Sequence, residues 1–353
     1  NIYHNMMKLY DNILNIWVES HNDILVFEQN INFANERIIS GITLNNAGTK
    51  LYIGIEMTGI YAYQYKISLP NKCNSIKWVT DKWILGGEDI NNNLIYDLMY
   101  YGIWNEDLKN KRVFVTGGGS GIGASIVEHF CEQGSEVYFI DINEKASNKL
   151  VLECKNKNFS VPTFIKCDLL NIKDLQNTIS KIIDNNGAID VLVNNAANDE
   201  RHSIDEVTEE FWNERMNINL RHYFFTVQSV KKAMIANKSG SIINIGSVSW
   251  MIGQGGMAAY TAAKSGVVGL TRSFARDLGE FDIRVNSVVP GWVMTERQVE
   301  KWLTPESEAD MLKKQCLKHK LMPSDIAKTV LFFGSDASSG CTNQDYVVDK
   351  GWL

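Results

Sequence analysis

Residues 106–353 alternate short apolar runs with longer segments of helical period, and this alternation constrains the fold more than any other feature. Seven runs have the length and apolar content of strands: RVFVTGG, EVYFIDI, PTFIKCDL, DVLVNNA, SIINIGS, RVNSVVPG and DYVVDKG. The segments between them, such as GASIVEHFCEQG and KDLQNTISKIIDNN, are long enough for helices. Strands that alternate with helices form parallel sheets with right-handed crossovers. We therefore predict an α/β fold with a doubly wound, seven-stranded parallel sheet.

Residues 1–105 have a different pattern. The runs ITL and KLYIGIE flank the turn residues NNAGT, and IYAYQYKI follows as a third alternating run. Such runs, separated by turn residues, indicate strands and hairpins. The segment NEDLKNKR at 105–112 is charged and polar, as expected of a connection. We predict a mostly-β extension over 1–105, incomplete as a domain, and a separate domain over 106–353.

Composition excludes several classes of protein. The 353 residues are 44% hydrophobic and 22% charged, which is typical of a globular protein. A net charge of −6 and a pI near 5.6 argue against a nucleic-acid partner. No apolar run reaches ~18 residues and the start lacks the order of a signal peptide, so we expect no membrane segment. Because the first residue is Asn and not Met, we expect a cut or incomplete N-terminus.

The cysteines are scattered and form no C-x-x-C pair or metal-ligand spacing. There are six of them: Cys73, Cys131, Cys154, Cys167, Cys316 and Cys341. This distribution indicates reduced thiols in a cytoplasmic protein, with no metal site and no disulfide framework.

A glycine cluster follows the first strand of the predicted sheet. In VFVTGGGSGIGASIVEHF, Gly117, Gly121 and Gly123 come between a buried strand and the opening of a helix. Glycine permits backbone angles that a side chain forbids, and the helix N-terminus offers free N–H groups to a pyrophosphate. A tight strand–helix turn without a ligand is the alternative interpretation. Asp141, about 20 residues further on and at the end of the second strand, favours a dinucleotide site.

The residues around Asp141 favour NAD over NADP. A carboxylate there can hold ribose hydroxyls and repels a 2′-phosphate, although Asp141 could also be a helix N-cap. Ser120 precedes Gly121 where an Arg would favour NADP, and Ile142 and Asn143 follow Asp141. Asp168 and the NNAA run at 194–197 also lie at strand carboxyl ends, where folds of this kind bind ligands.

Two Tyr–Lys pairs share a spacing of four residues. They are Tyr260 with Lys264 in AAYTAAKSG, and Tyr346 with Lys350 in DYVVDKG. Oxidation of an alcohol by hydride transfer needs a base for the hydroxyl proton. An ammonium beside a phenol lowers its pKa, and on a helix residues four apart lie on one face.

The surroundings favour the first pair. Tyr260 lies in a helical pattern, and Ser247 ends an apolar strand thirteen residues earlier. Tyr346 lies in the last predicted strand and has Phe333 thirteen residues before it, so we interpret the second pair as structural.

These residues carry a family resemblance. TGGGSGIG, NNAA, Asn219, Ser247, YTAAK and PGWVMT resemble, in order and spacing, the short-chain dehydrogenase/reductase family over 106–353. The resemblance implies a Rossmann-like fold, Tyr260 as acid/base, Ser247 as a holder of the reacting oxygen, Lys264 as a ribose ligand and Asn219 in a water relay. It also implies a homotetramer. The implied NAD-binding set is Gly117, Ser120, Gly121, Ile122, Gly123, Asp141, Asp168, Leu169, Asn195, Ala196, Tyr260, Lys264, Pro290, Gly291, Val293 and Thr295. Ala197 departs from the family, which has Gly in NNAG.

A finer resemblance concerns the substrate. NDERH, FWNERMNINLRH, NIGSVSW, the segment 295–318 and VDKGWL resemble bacterial NAD-dependent D-xylose 1-dehydrogenases and related aldose 1-dehydrogenases. This implies oxidation of an anomeric hydroxyl to a lactone, with 296–318 as a mobile segment over the substrate. Asn198, Ser247, Trp250, Gln254 and Trp292 are the candidate sugar ligands, and ordinary packing is the alternative for each Trp. A 3-oxoacyl reductase and a cofactor-binding regulator remain open, although acidic GEFD (279–282) and the intact catalytic set disfavour them.

Residues 40–67 also resemble a blade of the six-bladed propeller lactonases, the gluconolactonase and SMP-30-like group. About 100 residues cannot close a six-bladed propeller, and Ser40 and GIE (54–56) stand where metal-binding residues are expected. We therefore predict no lactonase activity from this chain.

Overall fold

The computed structural model describes residues 106–353 throughout and, within residues 1–105, the strands alone. The chain divides into two compact units, 1–103 and 104–353. The connection at 105–112 begins with a helical turn at Glu106–Leu108, and Leu108 is fully buried. The whole of that charged segment therefore belongs to the second unit.

The first unit contains two antiparallel sheets. Five strands form one sheet in sequence order: β1 (Trp17–His21), β2 (Ile24–Glu28), β3 (Arg37–Asn45), β4 (Lys50–Met57) and β5 (Tyr61–Ser68). Three strands form the other: β6 (Ser75–Val79), β7 (Lys82–Glu88) and β8 (Leu94–Met99). The three runs that the sequence pattern predicts as strands are β3, β4 and β5.

The second unit contains a seven-stranded parallel sheet, and the predicted fold class is confirmed. Its strands are β9 (Arg112–Thr116), β10 (Glu136–Asp141), β11 (Thr163–Lys166), β12 (Val191–Asn194), β13 (Gly240–Ile245), β14 (Ile283–Pro290) and β15 (Asp345–Val348). The spatial order is β11-β10-β9-β12-β13-β14-β15, with all pairs parallel. The chain order reverses between β9 and β12, and this reversal opens a crevice at the carboxyl ends of the strands.

Nine α-helices accompany this sheet in residues 106–353. They are α1 (Gly121–Glu132), α2 (Glu144–Asn156), α3 (Ile172–Asn186), α4 (Glu209–Met216), α5 (His222–Asn237), α6 (Ala258–Leu278), α7 (Glu296–Trp302), α8 (Pro305–Lys314) and α9 (Pro323–Gly334).

The sheet has an apolar core on each face because side chains alternate along a strand. On β9, Val113 and Val115 face the core that contains α1, α2 and α9. Phe114 faces the opposite core, which contains α3, α5 and α6. The helices thus cover both faces and leave the carboxyl edge of the sheet free for a site.

Two findings concern the predicted absence of a membrane segment and of a disulfide framework. In the part of the chain that the structure describes, no helix is long and apolar enough to cross a membrane. The cysteines described there are free thiols, namely Cys131, Cys154, Cys167, Cys316 and Cys341. Cys73 lies outside the described residues.

Candidate active site

A cavity of about 820 Å³ lies at the carboxyl edge of the parallel sheet. It begins at the turn after β9, passes the ends of β10, β12 and β13, and reaches α7 and α8. Most of the residues that the sequence predicts for a site line this cavity: Gly117, Ser120, Ile122, Gly123, Asp141, Asp168, Leu169, Asn195, Ala196, Asn198, Ser247, Gln254, Tyr260, Lys264, Pro290, Gly291, Trp292, Val293 and Thr295. Residues as far apart in the chain as Gly117 and Thr295 are therefore brought to one surface.

The backbone angles of the glycine loop require glycine at two positions. Gly117 has φ +65° and Gly121 has φ +57°, in the left-handed region that other residues rarely adopt. Gly121 does not line the cavity. A Cβ at that position would lie 3.2 Å from the Thr295 methyl group, so the loop meets the first turn of α7 there.

Asn195 holds the glycine loop against β12. Its side-chain amide donates to the carbonyl oxygens of Thr116 (3.1 Å) and Gly117 (3.0 Å). Gly123 lies so close to this turn that a Cβ there would be 1.9 Å from the Gly117 oxygen. Helix α1 therefore starts directly against the loop, and its N-terminus borders the cavity.

No side-chain hydrogen bond caps the N-terminus of α1. Ser120 is the N-cap residue, but its hydroxyl accepts no capping hydrogen bond, and the first turn has no acidic residue. The free N–H groups and the helix dipole together favour an anion at this end.

Asp141 ends β10 at the edge of the cavity. Its carboxylate accepts the backbone N–H groups of Gly119 and Asn143, each at 2.9 Å. Asn143, and not Asp141, caps α2, with its side chain accepting from Ala146 N–H. The N-cap interpretation of Asp141 is therefore wrong. Next along the edge, Asp168 accepts the N–H of Leu170 at 2.9 Å.

Tyr260 and Ser247 both line the cavity. Tyr260 lies in the first turn of α6, and Ser247 follows the end of β13. Burial raises the pKa of the Tyr260 phenol, and the negative charge of Asp199 raises it further. A hydrogen bond from Ser247 and the charge of Arg201 act in the opposite direction. Burial therefore has the largest effect on the pKa of this phenol.

Lys264 lies one turn along α6, with its ammonium 5.7 Å from the centre of the Tyr260 ring. Its Nζ donates to the Tyr223 hydroxyl (2.9 Å) and to the Ile245 carbonyl (2.7 Å). The Tyr223 hydroxyl in turn donates to Ile245 at 2.9 Å. Because Lys264 is 1% exposed, burial lowers its pKa from 10.5 to about 7, while the charge of Asp199 acts to raise it.

Asn219 lies in a π-helical segment, Asn217–Arg221, that joins α4 to α5. Single π turns within helices are frequent at functional sites. The Asn219 side chain does not line the cavity. It accepts the N–H of Asn198 (2.8 Å) and donates to the carbonyl of Asn198 (3.0 Å). Its observed effect is to hold the loop after β12 in place.

Sequence reasoning missed several residues at the far end of the cavity. Asp199, Arg201, Gln298, Trp302 and Trp352 all line it. Asp199 and Arg201 lie in NDERH, Gln298 and Trp302 lie in the segment 295–318, and Trp352 lies in VDKGWL, so each belongs to a stretch that carries the finer resemblance. The resemblance did not single them out as cavity residues, because the direction of each side chain depends on packing.

Trp250 belongs to the predicted substrate set but does not line the cavity. It ends a short 3-10 helix, Val248–Trp250, is 37% exposed and is not part of the cavity wall. The second Tyr–Lys pair is also away from the cavity. Tyr346 lies on β15 and is 53% exposed, while Lys350 lies beyond the strand and bonds to Asp325 at 3.0 Å.

The chain is similar to known proteins over this unit. A family model described as enoyl-(acyl carrier protein) reductase matches residues 117–353. A D-xylose 1-dehydrogenase of Caulobacter vibrioides is 46% identical over 245 residues, which cover 69% of this chain and 96% of that protein. A probable galactose dehydrogenase of Rhizobium meliloti is 42% identical over the same shares of both chains.

A solved structure agrees with the fold. A 3-oxoacyl-[acyl-carrier protein] reductase from Brucella melitensis with bound NAD has 26% identity and a TM-score of 0.64, covering 71% of this chain and 94% of its own. Together with the glycine loop and the Ser–Tyr–Lys geometry, these matches show that the chain belongs to the short-chain dehydrogenase/reductase family of oxidoreductases.

Proposed function

We propose that this protein oxidises the anomeric hydroxyl of an aldose, such as D-xylose, to the lactone with NAD. One observation carries the proposal: the cavity that holds Tyr260 and Ser247 continues into a wall with Trp292, Trp302 and the Asp199 carboxylate. Flat apolar faces beside charged hydrogen-bonding groups suit a sugar ring. The xylose and galactose dehydrogenases among the relatives support the same substrate class.

The residues around the glycine loop fit a nicotinamide dinucleotide. The open N-terminus of α1 would receive the pyrophosphate, Asp141 the adenosine ribose, and the cavity-lining residues after β12 and β14 the nicotinamide half. When bound, this cofactor accepts a hydride from the alcohol carbon. Ser120, Ile142 and Asn143, which line the cavity beside Asp141, carry no positive charge. We therefore propose NAD, since the carboxylate would repel a 2′-phosphate.

The proposed roles follow from the positions of the side chains. Tyr260 takes the hydroxyl proton of the substrate, and Ser247 holds the reacting oxygen beside it. Lys264 binds the nicotinamide ribose and, when protonated, stabilises the phenolate of Tyr260. Asn219 holds the loop that carries Asn198 and supports a water relay. The roles of Asn198, Gln254 and Trp292 as sugar ligands are part of the same proposal.

The test replaces Tyr260 by Phe and uses Tyr346→Phe as a matched control, because both tyrosines precede a lysine by four residues. Loss of the proton acceptor should lower kcat for aldose oxidation by roughly 10²- to 10⁴-fold. NAD binding, followed by fluorescence, should stay near the wild-type value, and Tyr346→Phe should keep normal activity. Normal turnover by Tyr260→Phe would contradict the proposed proton transfer.

An aldose panel decides the substrate class. Wild-type enzyme is assayed for NADH formation with xylose, arabinose, galactose and fucose, and for NADH consumption with a 3-oxoacyl thioester. Reduction of the thioester alone would identify a 3-oxoacyl reductase, an activity that the solved neighbour's name supports. No turnover of either class would favour a cofactor-binding regulator.

We also propose a cytoplasmic homotetramer. Light scattering of the purified full chain after size exclusion measures the oligomeric state, and a monomer at micromolar concentration would contradict the tetramer.

A further inference from the structure

We infer that Asp199 determines specificity for polyhydroxylated substrates by binding hydroxyl groups next to the reacting one, with Arg201 and Trp302 as donors to the same substrate. This inference rests on the proposed function, because it concerns the far end of the same cavity. Asp199 lies beyond the ends of β12 and Asn198, and its side chain is 19% exposed. It is therefore held within the wall but accessible from the cavity, which it lines.

The Asp199 carboxylate connects two distant parts of the chain. Its Oδ1 accepts from Arg297 Nε at 3.2 Å, and its Oδ2 accepts from Gln298 Nε2 at 2.6 Å. Gln298 Oε1 accepts from Trp292 Nε1 at 2.9 Å, so the end of β14 joins the same network. All these residues line the cavity. The first turn of α7 is thereby held across the cavity by one carboxylate.

The carboxylate retains capacity for a ligand. Two carboxylate oxygens have about four acceptor positions, and the two hydrogen bonds to α7 use two of them. The remaining positions suit substrate O–H donors. A hydroxyl that donates to a charged acceptor forms one of the stronger hydrogen bonds found in proteins.

Two N–H groups of residues that line the same cavity have no acceptor among the described residues. Arg201 Nε and Trp302 Nε1 are buried and have no hydrogen-bond partner among the described residues. The Arg201 guanidinium lies 5.2 Å from the centre of the Trp302 ring, so the two donors belong to one part of the wall. Buried donors without partners are rare, and a substrate oxygen that reaches them as the wall adjusts would remove the cost of leaving them unpaired.

The Asp199 carboxylate and the two N–H groups together favour a polyhydroxylated substrate. A sugar hydroxyl is both donor and acceptor, so neighbouring hydroxyls can satisfy a carboxylate and two N–H groups at once. A saturated acyl chain would leave the two N–H groups without acceptors and the remaining acceptor positions of Asp199 without donors. Asp199 also acts on the reacting end of the cavity, since its charge raises the pKa of Tyr260 and of Lys264.

The test compares D-xylose with tetrahydropyran-2-ol, a cyclic hemiacetal whose only hydroxyl is the anomeric one. For Asp199→Asn in the full chain, we expect kcat/KM with D-xylose to fall by roughly 10- to 100-fold, as for a lost hydrogen bond to a charged group. With tetrahydropyran-2-ol, the fall in kcat/KM should be roughly tenfold smaller than with D-xylose, because loss of the charge near Tyr260 and Lys264 affects both substrates while loss of the hydroxyl contacts affects D-xylose alone. The matched control is Glu200→Gln, whose neighbouring carboxylate is 57% exposed and not part of the cavity wall.

A second variant keeps the inference testable if Asp199→Asn does not fold. Trp302→Phe keeps an aromatic ring but removes the N–H donor, and it should lower kcat/KM for D-xylose selectively by about 3- to 10-fold. An equal loss with both substrates, or no loss with either, overturns the inference while aldose oxidation by the wild type upholds the proposed function. Failure of the wild type to oxidise any aldose overturns both.

Discussion

Lys264 is a buried cation that costs stability, and replacing it should make the protein more stable and inactive. Its ammonium is 1% exposed, and burial lowers its pKa from 10.5 to about 7. Methionine has a similar length and no charge to bury. We therefore expect Lys264→Met to raise the free energy of unfolding near neutral pH while abolishing turnover, as in other trade-offs between stability and activity.

The magnitude follows from the pKa. Each pKa unit corresponds to about 1.4 kcal/mol, so at pH 7 the buried ammonium costs up to about 4 kcal/mol. Local relaxation reduces this figure, and we expect a gain of roughly 2–4 kcal/mol. For a unit of this size that gain raises Tm by roughly 5–10 °C. Tyr223 keeps a hydrogen-bond partner in the variant, because its hydroxyl still donates to Ile245.

The pH dependence has a definite sign. Between pH 7 and 10.5 the unfolded chain holds a proton on Lys264 that the folded chain has released. Stability due to this residue therefore rises with pH in that window. The increase in the free energy of unfolding caused by Lys264→Met should be largest at and below pH 7 and should vanish as pH approaches 10.5.

The assay measures Tm and urea unfolding of both full-length proteins at several pH values from 6 to 10. Lys181→Met is the control, since Lys181 lies on α3 and is exposed; its difference from wild type should not change with pH. The reasoning is refuted if Lys264→Met is no more stable than wild type at pH 7. A stability difference that stays constant from pH 7 to 10 would refute it equally, because burial of a charge predicts the opposite.

Two further substitutions test the cofactor side of the cavity. Asp141→Ala should raise kcat/KM with NADP relative to NAD, and Asp141→Asn separates the charge from the backbone hydrogen bonds; an unchanged ratio in both contradicts the NAD assignment. Gly123→Ala places a Cβ 1.9 Å from the Gly117 oxygen and should cost roughly 1–3 kcal/mol with loss of cofactor binding. Gly255→Ala, with no atom within 4 Å, should match wild type, and equal Tm values for the two variants would contradict the packing argument.

Local patterns were sufficient for most of the fold in residues 106–353. The seven apolar runs each became a strand of the parallel sheet, because periodicity and length reflect backbone preferences of neighbouring residues. The glycine loop could be located for a related reason, since Gly117 and Gly121 adopt angles that other residues avoid. The spacing of Tyr260 and Lys264 likewise predicts that both lie on one helix face, because residues four apart share a face in any α-helix.

The substrate side of the cavity was much harder to predict. Trp250 and Trp302 are both aromatic residues near the ends of short helices, yet only Trp302 lines the cavity. Nothing in their neighbouring residues distinguishes them, because the direction of a short helix depends on what it packs against.

The sequence by itself determined the order of strands and helices, the position of the glycine turn after β9 and the presence of Tyr260 and Lys264 on one helix. Only the tertiary structure decided that Asp199 meets Gln298, 99 residues away, and that Lys264 bonds to Tyr223, 41 residues away. The physical reason is that local backbone preferences are encoded in neighbouring residues. Contacts between distant side chains, and the burial that shifts their pKa values, exist only once the crossovers have packed against the sheet.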